Sequence, residues 1–139
     1  MKSIKSDIIL KIPSKLLYLG VPDAVIMEMA GDLPFSKSDM EMLSTAVIEA
    51  CTNSMEHGNA MNEDLIVEVH FCFLDDSVRI TVLDNGSGFD HEAWIPTEDP
   101  MAQRGRGVKI MREFTDELIY DFADDGRFRL TLIKKMELK

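Results

Sequence analysis

The sequence predicts an α+β sandwich, with helices on one face of a mixed, mainly antiparallel sheet. Three observations carry that prediction. First, two pairs of strand-like segments are joined by short polar turns, as β-hairpins are. Leu65–Leu74 meets Val78–Leu83 across Asp75-Asp76-Ser77, and Leu118–Phe122 meets Phe128–Ile133 across Asp124-Asp125-Gly126. Second, segments with helical spacing of apolar residues precede the first hairpin and separate it from the second. Third, 139 residues are enough for a real core and fit one domain, residues 1–139.

Taken in order, Ile8–Pro13 reads as a first strand closed by proline. A helix follows over Lys15 to Ala30, with Pro22 marking a kink or a start inside it. Leu33-Pro34-Phe35 leads into a central helix that begins near Ser36, where Ser36-Lys37-Ser38-Asp39 resembles a capping box. Leu43, Val47, Ala50 and Ser54 recur at helical spacing, Ile48, Cys51 and Met55 widen the buried face, and Gly58 is a natural stop. Asn59 to Asp64 is polar loop. In the first hairpin Val67, Val69, Phe71 and Phe73 alternate with Glu68, His70, Cys72 and Leu74, the period of a strand buried on one face. Ile95 to Arg104 contains Pro96 and Pro100 and reads as a mobile loop, with Trp94 placed to pack beside it. Gly107 to Glu117 carries Val108, Ile110, Met111 and Phe114 at helical spacing. The second hairpin closes the chain, and there are no internal repeats.

Composition narrows the function classes. Hydrophobic residues make up 45%, ordinary for a globular protein, and no apolar run is long enough to span a membrane. The charged opening Met1 to Asp7 has no signal-peptide core. Cys51 and Cys72 do not form a disulfide framework, which fits a reducing cytoplasm. A net charge of −10 argues against nucleic acid, whose phosphates it would repel, and leaves room for a basic protein partner.

Three segments can carry chemistry. On the central helix Glu49 and Asn53 lie one turn apart, about 40° around the axis, and His57 continues the line. The Asn53 amide oxygen is a hard ligand suited to Mg²⁺, which keeps waters and takes phosphate oxygens at its other positions. Glu49 beside it can accept a proton from an attacking hydroxyl. Taken alone, such a pair is more often the wet side of an amphipathic helix. The second segment, Asp84-Asn85-Gly86-Ser87-Gly88-Phe89-Asp90, follows a strand. Its glycines allow close backbone approach to a ligand, and its carboxylate can accept from an exocyclic amine such as that of adenine. The bland reading is a glycine-rich turn, and the ligand pattern of a calcium loop is missing. The third, Gln103-Arg104-Gly105-Arg106-Gly107-Val108-Lys109, opens a helix, where amides, dipole and basic side chains suit an anion. It lacks the third glycine of a dinucleotide fingerprint and the G-K-[ST] of a Walker A loop. His57, His70, Cys51 and Cys72 do not have zinc-ligand spacing, and buried thiols are usually packing.

In this order and spacing the three segments resemble the N, G1 and G2 boxes of the GHKL ATPase superfamily, the Bergerat fold of histidine kinases, gyrase and Hsp90. The resemblance covers nearly the whole chain and is greatest to the anti-sigma factor serine kinases. It rests also on Ile12-Pro13-Ser14-Lys15, on Val47 to Ser54 with Glu56-His57-Gly58, and on Gly105 to Met111. The resemblance implies a two-layer α/β sandwich binding ATP and Mg²⁺. Asn53 would hold the metal against the triphosphate, and Glu49 would be the general base for a protein-serine hydroxyl. Asp84 would meet the adenine amine, with Gly86 and Gly88 shaping the pocket. Residues from Ile95 to Arg106 would form a lid. Gly105, Gly107 and Val108 would lie at the phosphates, and Arg104 or Arg106 near the γ-phosphate.

The resemblance further implies a STAS-domain anti-anti-sigma protein as phosphoacceptor, a sequestered sigma factor, a homodimer and a cytoplasmic location. The alternative is a binding module of the same fold that uses nucleotide only to set its shape. A third reading, the catalytic domain of a histidine kinase, lacks a preceding helix pair with a phosphoacceptor histidine.

Overall fold

The structure, a computed structural model, describes residues 4–86 and 103–136. β1 spans Ile4–Pro13, starting earlier than the apolar pattern indicates. A short 3₁₀ turn, Leu16–Leu19, leads into α1, Gly20–Asp32. Pro22 therefore sits in the first turn of α1, where a missing N–H leaves no helical bond unmade. The start, not the kink, is what this proline marks.

α2 spans Lys37–Asn53. Ser36 caps it, its side chain accepting from the Asp39 N–H at 3.1 Å. The helix does not run on to Gly58 as an α-helix. It passes at Ser54–Gly58 into a π-helical turn, which no periodicity signals. β2, Ile66–Leu74, and β3, Ser77–Asp84, form the first hairpin. α3 spans Gln103–Phe114, opening a turn earlier than Gly107. β4, Glu117–Phe122, and β5, Phe128–Lys135, form the second hairpin, with Gly126 at φ 90° in its turn.

The five strands form one sheet in the order β1-β2-β3-β5-β4, and all of these pairings are antiparallel. β5 thus inserts between β3 and β4, and Asp84, the last residue of β3, lies opposite Phe128, the first of β5. The helices share one face, making two layers of the Bergerat type. Val69, Phe71, Ile80 and Leu132 of the sheet and Leu43, Val47, Ile26 and Met111 of the helices are fully buried in the layer between. The other face is mixed, with Ile9 and Ile119 exposed among polar and charged side chains. There Glu68 accepts from His70 at 2.6 Å and meets Lys11 and Arg127, while Arg129 grips Asp121 through two bonds of 2.8 Å. No helix among the described residues is long and apolar enough to cross a membrane.

Candidate active site

The capped start of α2 fixes which residues face the sheet. Leu43, Val47, Ala50 and Cys51 are buried there, and Glu49 and Asn53 are carried toward α3. The first turn of α3 lies against them. A Cβ built on Gly107 would stand 2.8 Å from Glu49 Oε2 and 3.9 Å from Asn53 Nδ2. The absence of a side chain at Gly107 therefore leaves room for the end of the Glu49 carboxylate, while the Asn53 carboxamide lies at ordinary contact distance from the same spot. Asn53 is 7% exposed, and its Nδ2 has no hydrogen-bond partner among the described residues. A buried polar group left unpaired is costly unless something else satisfies it.

A second group forms where β3 ends. Asp84 is 2% exposed. Its Oδ1 accepts from the Gly86 N–H at 2.8 Å, and the Ser54 hydroxyl hydrogen-bonds the same carboxylate. Burial pushes the Asp84 carboxyl above its usual range, against the opposing pull of those two bonds. The π turn brings Gly58 onto it: a Cβ on Gly58 would be 2.5 Å from Asp84 Oδ1. Gly86 in turn packs on Gly58, since its own Cβ would be 2.6 Å from Gly58 Cα. Asn53 and Ser54 are consecutive, so the end of α2 joins the two groups.

The structure thus brings Glu49, Asn53 and Gly107 together and, beside them, Asp84 and Gly86. Val108 is fully buried in the core, so any contact it makes with a ligand falls to its backbone. Arg104, Gly105 and Arg106 lie in the first turn of α3, where only backbone is described. Gly88, Trp94 and the lid before Gln103 lie outside the described residues. His57 lies in the π turn, and its Nε2 lies 3.8 Å from Glu56. Cys51 is buried, its thiol pushed up to about 12, which makes it inert at neutral pH. Cys72 is on the opposite face of the sheet, and among the described residues no group of three or more His, Cys, Asp and Glu could hold a metal. The sequence does not reveal Ser54 as an Asp84 partner, and it shows Gly58 as a helix stop within the Glu56-His57-Gly58 motif but not as a contact of Asp84. Their adjacency to Asn53 was the available signal.

The residues fit Mg²⁺ with a polyphosphate. Asn53 offers one hard, neutral amide oxygen, the sparse protein contribution Mg²⁺ accepts when waters and phosphate oxygens fill its other positions, and its unpaired Nδ2, a donor only, suits a phosphate oxygen.

The fold and these two groups define a Bergerat-type sandwich of the GHKL class. Residues 12–134 match the histidine kinase-like ATPase domain, and the chain belongs to that family. It is similar to the serine-protein kinase RsbW of Bacillus licheniformis, 32% identical over 127 residues, 85% of this chain and 79% of that protein. It is also similar to the anti-sigma F factor of Clostridium perfringens, 37% identical over 100 residues, 68% of this chain and 71% of that protein. Among solved structures, the SiaB–SiaC complex of Pseudomonas aeruginosa superposes with a TM-score of 0.69 at 14% identity, over 94% of this chain and 89% of that one. The RsbU and RsbW domains of Rv1364c from Mycobacterium tuberculosis give 0.68 at 17% identity, over 95% of this chain and 33% of that longer one.

Proposed function

We propose that the chain is an ATP- and Mg²⁺-dependent protein serine kinase of the anti-sigma type. In this reading it phosphorylates a serine of a STAS-domain anti-anti-sigma partner and, in the alternative arm of the switch, binds a sigma factor. The observation that supports it most is the meeting of Glu49 and the unpaired Asn53 amide at Gly107. The kinase and anti-sigma names of the relatives support it independently. A cytoplasmic homodimer belongs to the same reading.

Bound Mg²⁺ would supply charge neutralisation at the phosphates. Asn53 would hold it through the amide oxygen. Asp84 takes the adenine amine, because an ionised carboxylate only accepts. The start of α3 directs backbone N–H groups and its positive dipole end toward phosphate, with Arg104 or Arg106 at the γ-phosphate. Glu49 holds the proton that leaves the serine hydroxyl as its oxygen bonds to the γ-phosphorus, while the bridging oxygen leaves with ADP. Phosphoryl transfer asks a protein mainly for such positioning and charge compensation.

The test is Glu49→Gln, nearly isosteric. Transfer of labelled phosphate to the partner's serine should fall by about 10²–10⁴-fold, the range for a lost general base, while affinity for non-hydrolysable ATP stays within about twofold. Unimpaired transfer removes Glu49 as the base. No transfer by the wild type to a cognate STAS partner favours a binding module that ATP merely shapes.

A further inference from the structure

Between the π turn and β2 lies a buried carboxamide that the proposed chemistry does not use. Asn59 is 1% exposed. Its Nδ2 donates to Ser14 Oγ at 2.8 Å and to the Ile66 carbonyl at 3.3 Å, and its Oδ1 accepts from the Asn85 backbone N–H at 2.8 Å. Ser14 Oγ passes the chain on, donating to the Leu65 carbonyl at 2.7 Å. One side chain therefore ties the residue after β1, the start of β2 and the turn after β3. Its backbone is held as firmly. The Asn59 N–H donates to the Ser54 carbonyl at 2.8 Å, and the Met61 N–H to the Met55 carbonyl at 2.7 Å. Ala60 and Met61 then take φ of 51° and 58°, the left-handed region that non-glycine residues occupy only when their surroundings hold them there.

Asn85 stands between Asp84 and Gly86. The bond from its N–H to Asn59 Oδ1 therefore pins the turn whose other end presents the Asp84 carboxylate. Packing of Gly86 on Gly58 stops that turn from moving toward α2 but does not stop it swinging away. Position matters here because an ionised carboxylate tells an amino purine from an oxo purine by attraction to one and repulsion from the other. A carboxylate free to swing aside loses both.

We propose that Asn59 is a positioning residue for purine recognition: by holding the Asn85 amide it fixes where Asp84 meets the base, and so sets the preference for ATP over GTP. The inference rests on the reading of Asp84 as the group that meets the adenine amine. A purely structural asparagine would stabilise the fold without touching that preference.

Ser14 separates the two roles, because Ser14→Ala removes the anchor to β1 and leaves the bond to Asn85. ATP and GTP are titrated calorimetrically into wild type, Asn59→Ala and Ser14→Ala, each at a temperature where its melt shows it folded. Asn59→Ala should lose roughly tenfold in ATP affinity, the scale of one buried hydrogen bond lost with its partner left unpaired, and its ATP-to-GTP ratio should shrink by a similar factor. Ser14→Ala should melt lower and keep the wild-type ratio. A folded Asn59→Ala with the wild-type ratio overturns the proposal, and so does a Ser14→Ala ratio that shrinks as far. If Asn59→Ala does not fold, the nucleotide-free wild type supplies the test. Its Asn85 amide should exchange as slowly as the amides of β3, and exchange at the rate of an open loop overturns the lock. Equal wild-type affinity for ATP and GTP removes the Asp84 reading and this inference with it, before any variant is measured.

Discussion

The Asp84 carboxylate is buried, and burial favours its protonated form, so its pKa stands above the ordinary 3.8. The native state therefore holds this proton more tightly than the unfolded chain does. The resulting stabilisation is full below pH 3.8 and is lost as pH rises through the raised native value. Once ionised, the group costs the fold some stability, which the proposed contact with a nucleotide base would offset. Asp84→Asn should thus raise the melting temperature of the nucleotide-free protein at pH 7, with the gain vanishing in acid, while ATP affinity falls. Thermal melts against pH with ATP calorimetry check this, and a variant less stable than wild type at pH 7 would mean that the bonds from Gly86 and Ser54 outweigh burial. Two glycines make a contrasting pair. Gly58→Ala would drive a Cβ into the Asp84 carboxylate, so both folding and ATP affinity should suffer. Gly107→Ala meets only the end of the flexible Glu49 side chain, 2.8 Å away. It should fold, bind nucleotide and lose phosphoryl transfer, as melts and a transfer assay would show.

α2 is the element on which both groups depend. Its Leu43 is fully buried against the sheet, and Leu43→Ala should cost about 2–5 kcal/mol in a denaturant titration. The phase of α2 was legible in the sequence: the Ser36 cap and the apolar spacing put Leu43 and Val47 inward and set Glu49 one turn from Asn53. Asp84 was legible as well, because strand alternation ended on it. The π turn beyond Asn53 was not legible. Such a turn leaves no repeat, since it inserts one residue once, and its consequence is tertiary. Gly58 reads as a stop until Asp84 is folded against it, and Asn59 reads as loop until Ser14 and Asn85, 45 and 26 residues away, close on it. The segment from Gln103 was legible as the opening of a helix, but the apolar spacing shows only from Gly107, because the two glycines between Arg104 and Gly107 weaken the helical signal there.

At the scale of the whole molecule, the proposed ligand should act as a stabiliser, because its site is assembled only when α2, the end of β3 and α3 are packed together. A nucleotide that binds the native state alone adds about 2.7 kcal/mol at a hundred times its Kd, which for a chain of this size shifts the melting temperature on the order of 10 °C. The shift should depend on Mg²⁺, since the metal is what would draw Asn53 onto the phosphates. With ATP in EDTA it should shrink markedly, and adding Mg²⁺ should restore it. Asn53→Ala should flatten that dependence, giving about the same shift with the metal as without. Glu49→Gln should keep the full Mg²⁺-dependent shift, because its proposed task begins only when an acceptor hydroxyl arrives. Differential scanning calorimetry on the three proteins, each with ATP in EDTA and in excess Mg²⁺, gives the comparison. If Asn53→Ala retained the wild-type Mg²⁺ dependence, the Asn53 amide oxygen would not be the metal's anchor, and the ligand would have to be sought on other residues around α3.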